Sequence, residues 1–154
     1  MLRDGLPRVR RAPFAALDGA TVYGILRLRA EAFVVEQRCA FLDPDGRDTE
    51  VATLHVWIER NGEVVGALRM LEEAAGAVRV GRVVVAPAAR GAGLANALMR
   101  AALEDCRGRV VVLDAQRQLV PWYERLDFEI TGPDYLEDGI LHTPMRRPAT
   151  EFPG

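Results

Sequence analysis

The chain has 154 residues, 49% apolar and 27% charged, with a formal net charge of −2. That is the size of one domain with enough apolar material for a single core. It lacks the basic excess of a nucleic-acid binder and any apolar run near the ~18 residues of a membrane span.

Arg3, Arg8, Arg10 and Arg11 crowd the start, but no apolar stretch follows them, so the segment does not read as a signal peptide. Residues 1–13 read as a flexible basic arm, 14–147 as the folded domain and 148–154 as a tail. Cys39 and Cys106 form neither a disulfide framework nor a CxxC pair, as in a reducing cytoplasm. Thr21 to Cys39 reads as a helix capped by Asp18, with Tyr23, Leu26, Ala30, Phe33 and Val34 on one face. Phe41 to Thr53 is a polar loop. Its Asp43, Asp45 and Asp48 lack the closing Glu of a calcium loop and read as solvated turn carboxylates, so no metal is expected.

Leu54–Glu59 and Glu63–Met70 read as strands joined by Asn61-Gly62, a two-residue hairpin whose turn positions both accept positive φ. Val78–Val85 is a third strand. Arg90–Arg107 reads as a helix with Leu94, Ala97, Leu98, Ala101 and Ala102 turned inward, and Arg109–Asp114 as a buried parallel strand. Leu119–Leu126 is a short helix with Pro121 in its first turn. Phe128–Thr131 and Ile140–Met145 close the sheet. The alternation predicts one α/β domain, a mixed central sheet with helices on both faces.

The chemistry concentrates in Val83 to Asn96. A valine-rich strand ends, Pro87 makes a turn, and Arg90-Gly91-Ala92-Gly93 opens a helix at Leu94. A helix N-terminus leaves backbone N–H groups without partners and carries partial positive charge, and glycines let a ligand approach closely, so this is an anion site suited to phosphate. Neither G-x-G-x-x-G nor Gly-Lys-Ser/Thr is present, which argues against a dinucleotide or a P-loop nucleotide.

Arg90-x-x-Gly93-x-Ala95 in this strand–turn–helix setting resembles the pyrophosphate loop of the GCN5-related N-acetyltransferase (GNAT) superfamily. Gln116-x-x-Leu119-x-x-Trp122-Tyr123-x-x-x-Asp127-Phe128 resembles that family's later Asn-x-x-Ala-x-x-aromatic-Tyr-x-x-x-Gly-Phe stretch, with Asp127 in the glycine position. Phe33-Val34-Val35-Glu36-Gln37, Gly81-Arg82-Val83-Val84-Val85 and Tyr135 to His142 are similar to the ElaA-like branch. The resemblance spans residues 20 to 147.

It implies the GNAT fold and acetyl-CoA as co-substrate. The acetyl group would pass to a small-molecule or peptide amine by direct attack in a ternary complex. The strand end Val83, Val84 and Val85 would line the pantetheine tunnel, a bulge there supplying an oxyanion donor. Arg90 and the amides of Gly91, Ala92, Gly93, Leu94, Ala95 and Asn96 would hold the pyrophosphate, and Gln116 the pantetheine arm. Tyr123 is the expected general acid. The base is open among Glu36, His142, Glu137 and His55, with Glu36 and His142 preferred. Neither cysteine has a visible partner that would make it a nucleophile. The Glu137-Asp138 pair could attract a cationic acceptor. A homodimer is the default for a small enzyme. The rival readings are a longer acyl donor, or a non-catalytic CoA-binding or protein-interaction module on the same fold.

Overall fold

The computed structural model describes residues 7–150. The sheet has eight strands: β1 (Arg10–Pro13), β2 (Leu54–Arg60), β3 (Glu63–Glu72), β4 (Val78–Val85), β5 (Val111–Gln116), β6 (Glu129–Ile130), β7 (Tyr135–Glu137) and β8 (Ile140–Arg147). Their order is β1-β2-β3-β4-β5-β8-β6, with β7 also pairing to β8. Among the described residues only the β4–β5 contact is parallel. Helix α1 (Gly19–Arg29) continues as a π-helical segment, Ala30–Glu36. The others are α2 (Leu94–Asp105) and α3 (Val120–Glu124).

Alternation along the strands builds two cores. Val56, Ile58, Leu68 and Met70 face α2 and α3, where they meet Leu94, Leu98, Met99, Val120 and Phe128. Trp57 and Ala67 point the other way and meet Ile25, Leu28 and Ala32 of α1 and its extension. Helices therefore cover both faces, as the sequence predicts. Asn61 and Gly62 hold φ of 52° and 78°, the two-residue turn expected of Asn-Gly. Asp18 Oδ1 caps α1 by accepting from the Thr21 N–H at 2.7 Å.

Four expectations are corrected. Residues 10–13 of the presumed arm form an edge strand antiparallel to β2, with Arg10 opposite Trp57; residues 1–6 of the arm and 151–154 of the tail lie outside the described residues. The buried face of α1 is Thr21, Ile25, Leu28 and Arg29, whereas Tyr23 is 68% exposed. Helix α2 starts at Leu94, four residues later than expected, because 90–93 form the loop before it. Finally, Asp43 and Asp48 are buried rather than solvated.

Those two carboxylates enter a neutral cluster of three arginines and three aspartates. Arg29, 1% exposed, donates from Nε to Asp43 at 2.8 Å and from Nη1 to Asp48 at 2.7 Å. Arg69 donates to Asp45 at 2.6 Å and to Asp48 at 3.1 Å. Arg82 donates to the Asp43 carbonyl at 3.1 Å; its Nε lies 2.8 Å from Asp43 Oδ1 but off the hydrogen-bonding direction. Burial alone would raise the Asp48 carboxyl, but Arg29 and Arg69 outweigh it and hold it below the usual range; Arg69 does the same to Asp45.

Removing one member leaves buried charge uncompensated, so Asp48→Ala is expected to cost about 3–5 kcal/mol in urea denaturation. Because the folded carboxylates bind protons more weakly than the unfolded ones, their stabilisation is complete above the ordinary Asp value of about 3.9 and fades as pH falls toward their lower folded values. The urea midpoint should therefore decline steeply below about pH 4 in the wild type and less steeply in Asp48→Asn; equal acid sensitivity of the two proteins would contradict the account.

Candidate active site

β4 and β5 pair at only two positions, Val78 with Val111 and Arg79 with Val112, and then part. Beyond Arg79 the edge of β4 that faces β5 has no strand beside it. The other edge carries a bulge. Ala67 and Arg69 of β3 face Val84 and Gly81 of β4, so β4 holds one residue more than its partner. Arg82 within it has φ of 53°, a backbone state that costs a non-glycine residue free energy and needs outside support. The bulge inverts the alternation. Val78 and Val80 face α2, but Val84 faces the α1 core.

The parting opens a cleft of about 260 Å³. Val80, Gly81, Arg82 and Val83 form one wall; Leu113, Asp114 and Gln116 of β5 form another. Phe33, Gln37, Cys39 and Phe41 cover it from the α1 side, and Leu119, Tyr123, Glu137, Asp138, Ile140 and His142 from the other. Val83 thus lines the cleft as expected. Val84 is buried in the α1 core and Val85 packs against the α2 core, so neither side chain lines a tunnel here.

Downstream of the bulge the chain makes the anion loop. Gly91 and Gly93 have φ of 84° and 78°, and a Cβ on either would meet no protein atom within 4 Å. The Arg90 N–H is used by Pro87 O at 3.4 Å and the Ala92 N–H closes the turn at Arg90–Gly91, but the N–H groups of Gly91, Gly93, Leu94, Ala95 and Asn96 have no partner among the described residues; the first turn bond of the helix is Ala97 N–H to Gly93 O at 3.0 Å. The Asn96 side chain is occupied, accepting from Trp122 Nε1 at 2.9 Å and bracing α2 against α3.

Tyr123 is 6% exposed, edge-on to Trp122 and Phe128 at centroid distances of 4.7 and 5.8 Å. Its hydroxyl has no hydrogen-bond partner among the described residues, and burial pushes the phenol up to about 12. Asp127 follows with φ of 71°, so the aspartate does take the left-handed state of the glycine it replaces, and Phe128 is buried. Gln116 stands opposite His142 across β5–β8 and accepts from Gln118 at 3.0 Å. His142 Nδ1 is 2.9 Å from Ile140 O. A carbonyl only accepts, so Nδ1 carries a proton, and Nε2 is the ring nitrogen left for another partner. Its ring stacks on Tyr135 at 5.7 Å.

Of the other base candidates, Glu137 lines the cleft. His55 is 3% exposed, lies off the cleft and is engaged with Asp48 O at 2.9 Å. Glu36 is also off the cleft. Both its oxygens accept from Arg90, at 2.7 and 3.0 Å, which holds its carboxyl below the usual range. Cys39 does reach the cleft wall, where its thiol lies 3.3 Å from Asp138 O; Cys106 is buried away from it, its thiol pushed up to about 11 by burial. Arg82, Arg79, Phe41 and Asp114 line the cleft without having been singled out as site residues. Gly81 inside a valine-rich run was the available signal for the bulge. Among the described residues no group of three or more His, Cys, Asp or Glu could hold a metal, and no helix is long and apolar enough to cross a membrane.

A cleft in a divided sheet, with open glycines and free amides on the loop that follows one of its strands, is a setting that suits a phosphate-bearing ligand. The acetyltransferase (GNAT) domain family matches residues 31–148. A UPF0039 protein of Mycobacterium tuberculosis is 41% identical over 146 residues, covering 92% of this chain and 94% of that one. ElaA of Escherichia coli K12 is 36% identical over 137 residues, covering 85% and 90%. A solved acyl-CoA N-acyltransferase of Pseudomonas aeruginosa matches with a TM-score of 0.87 at 38% identity, over 92% of this chain and 99% of that one. The structure of Escherichia coli ElaA matches at 0.86 and 32%, with the same coverage. The chain belongs to the GNAT acetyltransferase family.

Asp127→Gly removes a left-handed non-glycine residue whose side chain is 81% exposed. It should raise stability by about 0.5–1 kcal/mol in urea denaturation, which an unchanged or lower midpoint would contradict.

Proposed function

We propose that this protein transfers an acetyl group from acetyl-CoA to a primary amine, with both substrates bound at once. The observation that carries the reading is the group of five partnerless amides, Gly91 and Gly93 to Asn96, on the loop and helix start that follow the strand whose bulge borders the cleft. The fit to the co-substrate is physical. Backbone N–H groups and the dipole at the start of α2 suit a diphosphate, and the glycine faces are open. The divided sheet leaves room for a slender arm beside Val83 and Gln116. Acetyl-CoA supplies an activated thioester.

The chain's own groups supply the rest. The unpaired edge of β4, on the side away from its bulge, offers N–H donors where negative charge develops on the acyl oxygen; one such donor is worth about 2.7–4 kcal/mol in other enzymes. His142 Nε2 takes the proton of the acceptor amine, directly or through one water. Tyr123 stays a neutral phenol across the working range and gives a proton at Oη to the leaving group. Glu36 has no part in proton transfer. The Glu137 and Asp138 carboxylates at the cleft mouth favour a cationic amine, small molecule or peptide.

The test is an amine panel with radiolabelled acetyl-CoA. Tyr123→Phe is expected to lower kcat about 100-fold while the acetyl-CoA KM holds within about threefold, since removing a general acid typically costs 10²–10⁴. His142→Gln should lower kcat/KM about 100-fold, the loss expected when a general base is removed. Ala92→Asp, which puts an anion into the cradle, should abolish CoA binding by calorimetry. An Ala92→Asp protein that binds CoA normally overturns the reading. A wild type that binds CoA, acetylates no amine and is indifferent to Tyr123→Phe would favour a CoA-binding module.

A further inference from the structure

Arg90 begins the anion loop and is the residue the sequence assigns to the diphosphate, yet its side chain is spent elsewhere. Nε donates to Val85 O at 3.1 Å, and Nη1 and Nη2 donate to the two oxygens of Glu36 at 3.0 and 2.7 Å. All three guanidinium nitrogens are engaged and the charge is compensated by Glu36. The guanidinium is thereby turned back toward the end of β4 and the π-helical segment, while the amides of Gly91 and Gly93 to Asn96 stand partnerless without it.

Resting on the acetyl-CoA reading above, we infer that Arg90 is a strut and not a phosphate ligand, and that Glu36 is the positioning residue that anchors it. The strut joins three parts at their meeting point. It grips the last carbonyl of β4, the strand that carries the bulge. It fixes the first residue of the loop, ahead of two glycines whose left-handed states leave the loop little stiffness of its own. It ties both to the end of the π-helical segment, one turn beyond Phe33 and next to Gln37, which line the cleft. Loop geometry and the α1-side cleft wall thus share one two-pronged ion pair. Only arginine fills the post, because a lysine ammonium cannot grip both Glu36 oxygens and the Val85 carbonyl in one plane.

Calorimetric titration with CoA itself tests the assignment on folded wild type, Glu36→Gln, Arg90→Ala, Arg90→Lys and the Glu36→Gln/Arg90→Ala double variant, at low and high salt. A strut predicts that all four variants weaken CoA binding alike, about three- to fivefold, the range an exposed ion pair supports. The double variant should be no worse than Arg90→Ala, lysine should not rescue, and the salt dependence of the double variant should match the wild type because the pair it removes is neutral. Three results overturn it: tighter binding by Glu36→Gln, rescue by Arg90→Lys, or a loss of tenfold or more with a flattened salt dependence in Arg90→Ala. Subtilisin digestion of the ligand-free proteins reads the strut without CoA; nicking within residues 86–93 should quicken equally in the four variants, and unchanged rates overturn the proposal. A wild type that binds no CoA would overturn the donor assignment instead, leaving the digestion to decide the strut.

Discussion

The site depends on one residue being held in a backbone state it does not favour. Arg82 adopts positive φ in the middle of a strand, and the structure surrounding it must supply what the backbone loses. It does so through charge. Arg82 is drawn to Asp43 and Asp45; Arg29 and Arg69 fix those two carboxylates and Asp48 in turn. Phe41, 5.8 Å from the Arg82 guanidinium, adds a ring face. Desolvating six charges is expensive, and a packed apolar cluster in the same space could be as stable or more so. What an apolar cluster lacks is direction. The paired charges fix where the extra residue of β4 sits, and its position decides which face Val83 and Val84 present.

From that bulge the rest follows. A strand that changes face cannot keep regular pairing on its free side, and β5 leaves it after Arg79. β5 keeps its own partner, running six residues against β8 from Val111 to Gln116. The sheet divides without exposing its core, because α2 and α3 cover one face of both halves. The cleft is therefore a property of the sheet itself, not of mobile loops draped over it, and its walls are as firm as the strands that form them.

The local signals read through to the structure. Asn61-Gly62 gave the hairpin, Asp18 the cap, and the boundaries of β4 match residue for residue. The loop from Gly91 to Asn96 was legible because its chemistry is backbone chemistry, written in glycines and in the start of a helix. What stayed hidden was set by partners far along the chain. Asp43 reads as a turn residue until Arg29 is brought to it, fourteen positions away in sequence. Glu36 has the type of a base, and nothing in its own surroundings in sequence shows that both its oxygens accept from Arg90, fifty-four positions on. The buried stripe of α1 was misjudged because its apolar residues surround more than one face and Arg29 is the one that goes inside. β7 could have been found, since Asp138-Gly139 carries the same paired positive φ as Asn61-Gly62.

Two side chains on the cleft have complementary proton habits, and each habit is fixed by surroundings rather than by residue type. Tyr123 lies edge-on to Trp122 and Phe128, its hydroxyl without an acceptor among the described residues, and burial keeps it a neutral phenol that can give a proton. His142 donates its Nδ1 proton to the backbone of its own strand, which leaves Nε2 as the ring nitrogen open to another partner. Neither is hydrogen-bonded to the other, so no internal transfer short-circuits them. Both are referenced to β5: His142 faces Gln116 across the ladder, and Tyr123 stands on the short helix that leaves the end of that strand. In the proposed reaction β4 would supply fixed donors and the β5 side the groups that exchange protons. The charge on the acyl oxygen and the proton leaving the acceptor amine would then be handled from opposite walls, a separation that a continuous sheet could not provide.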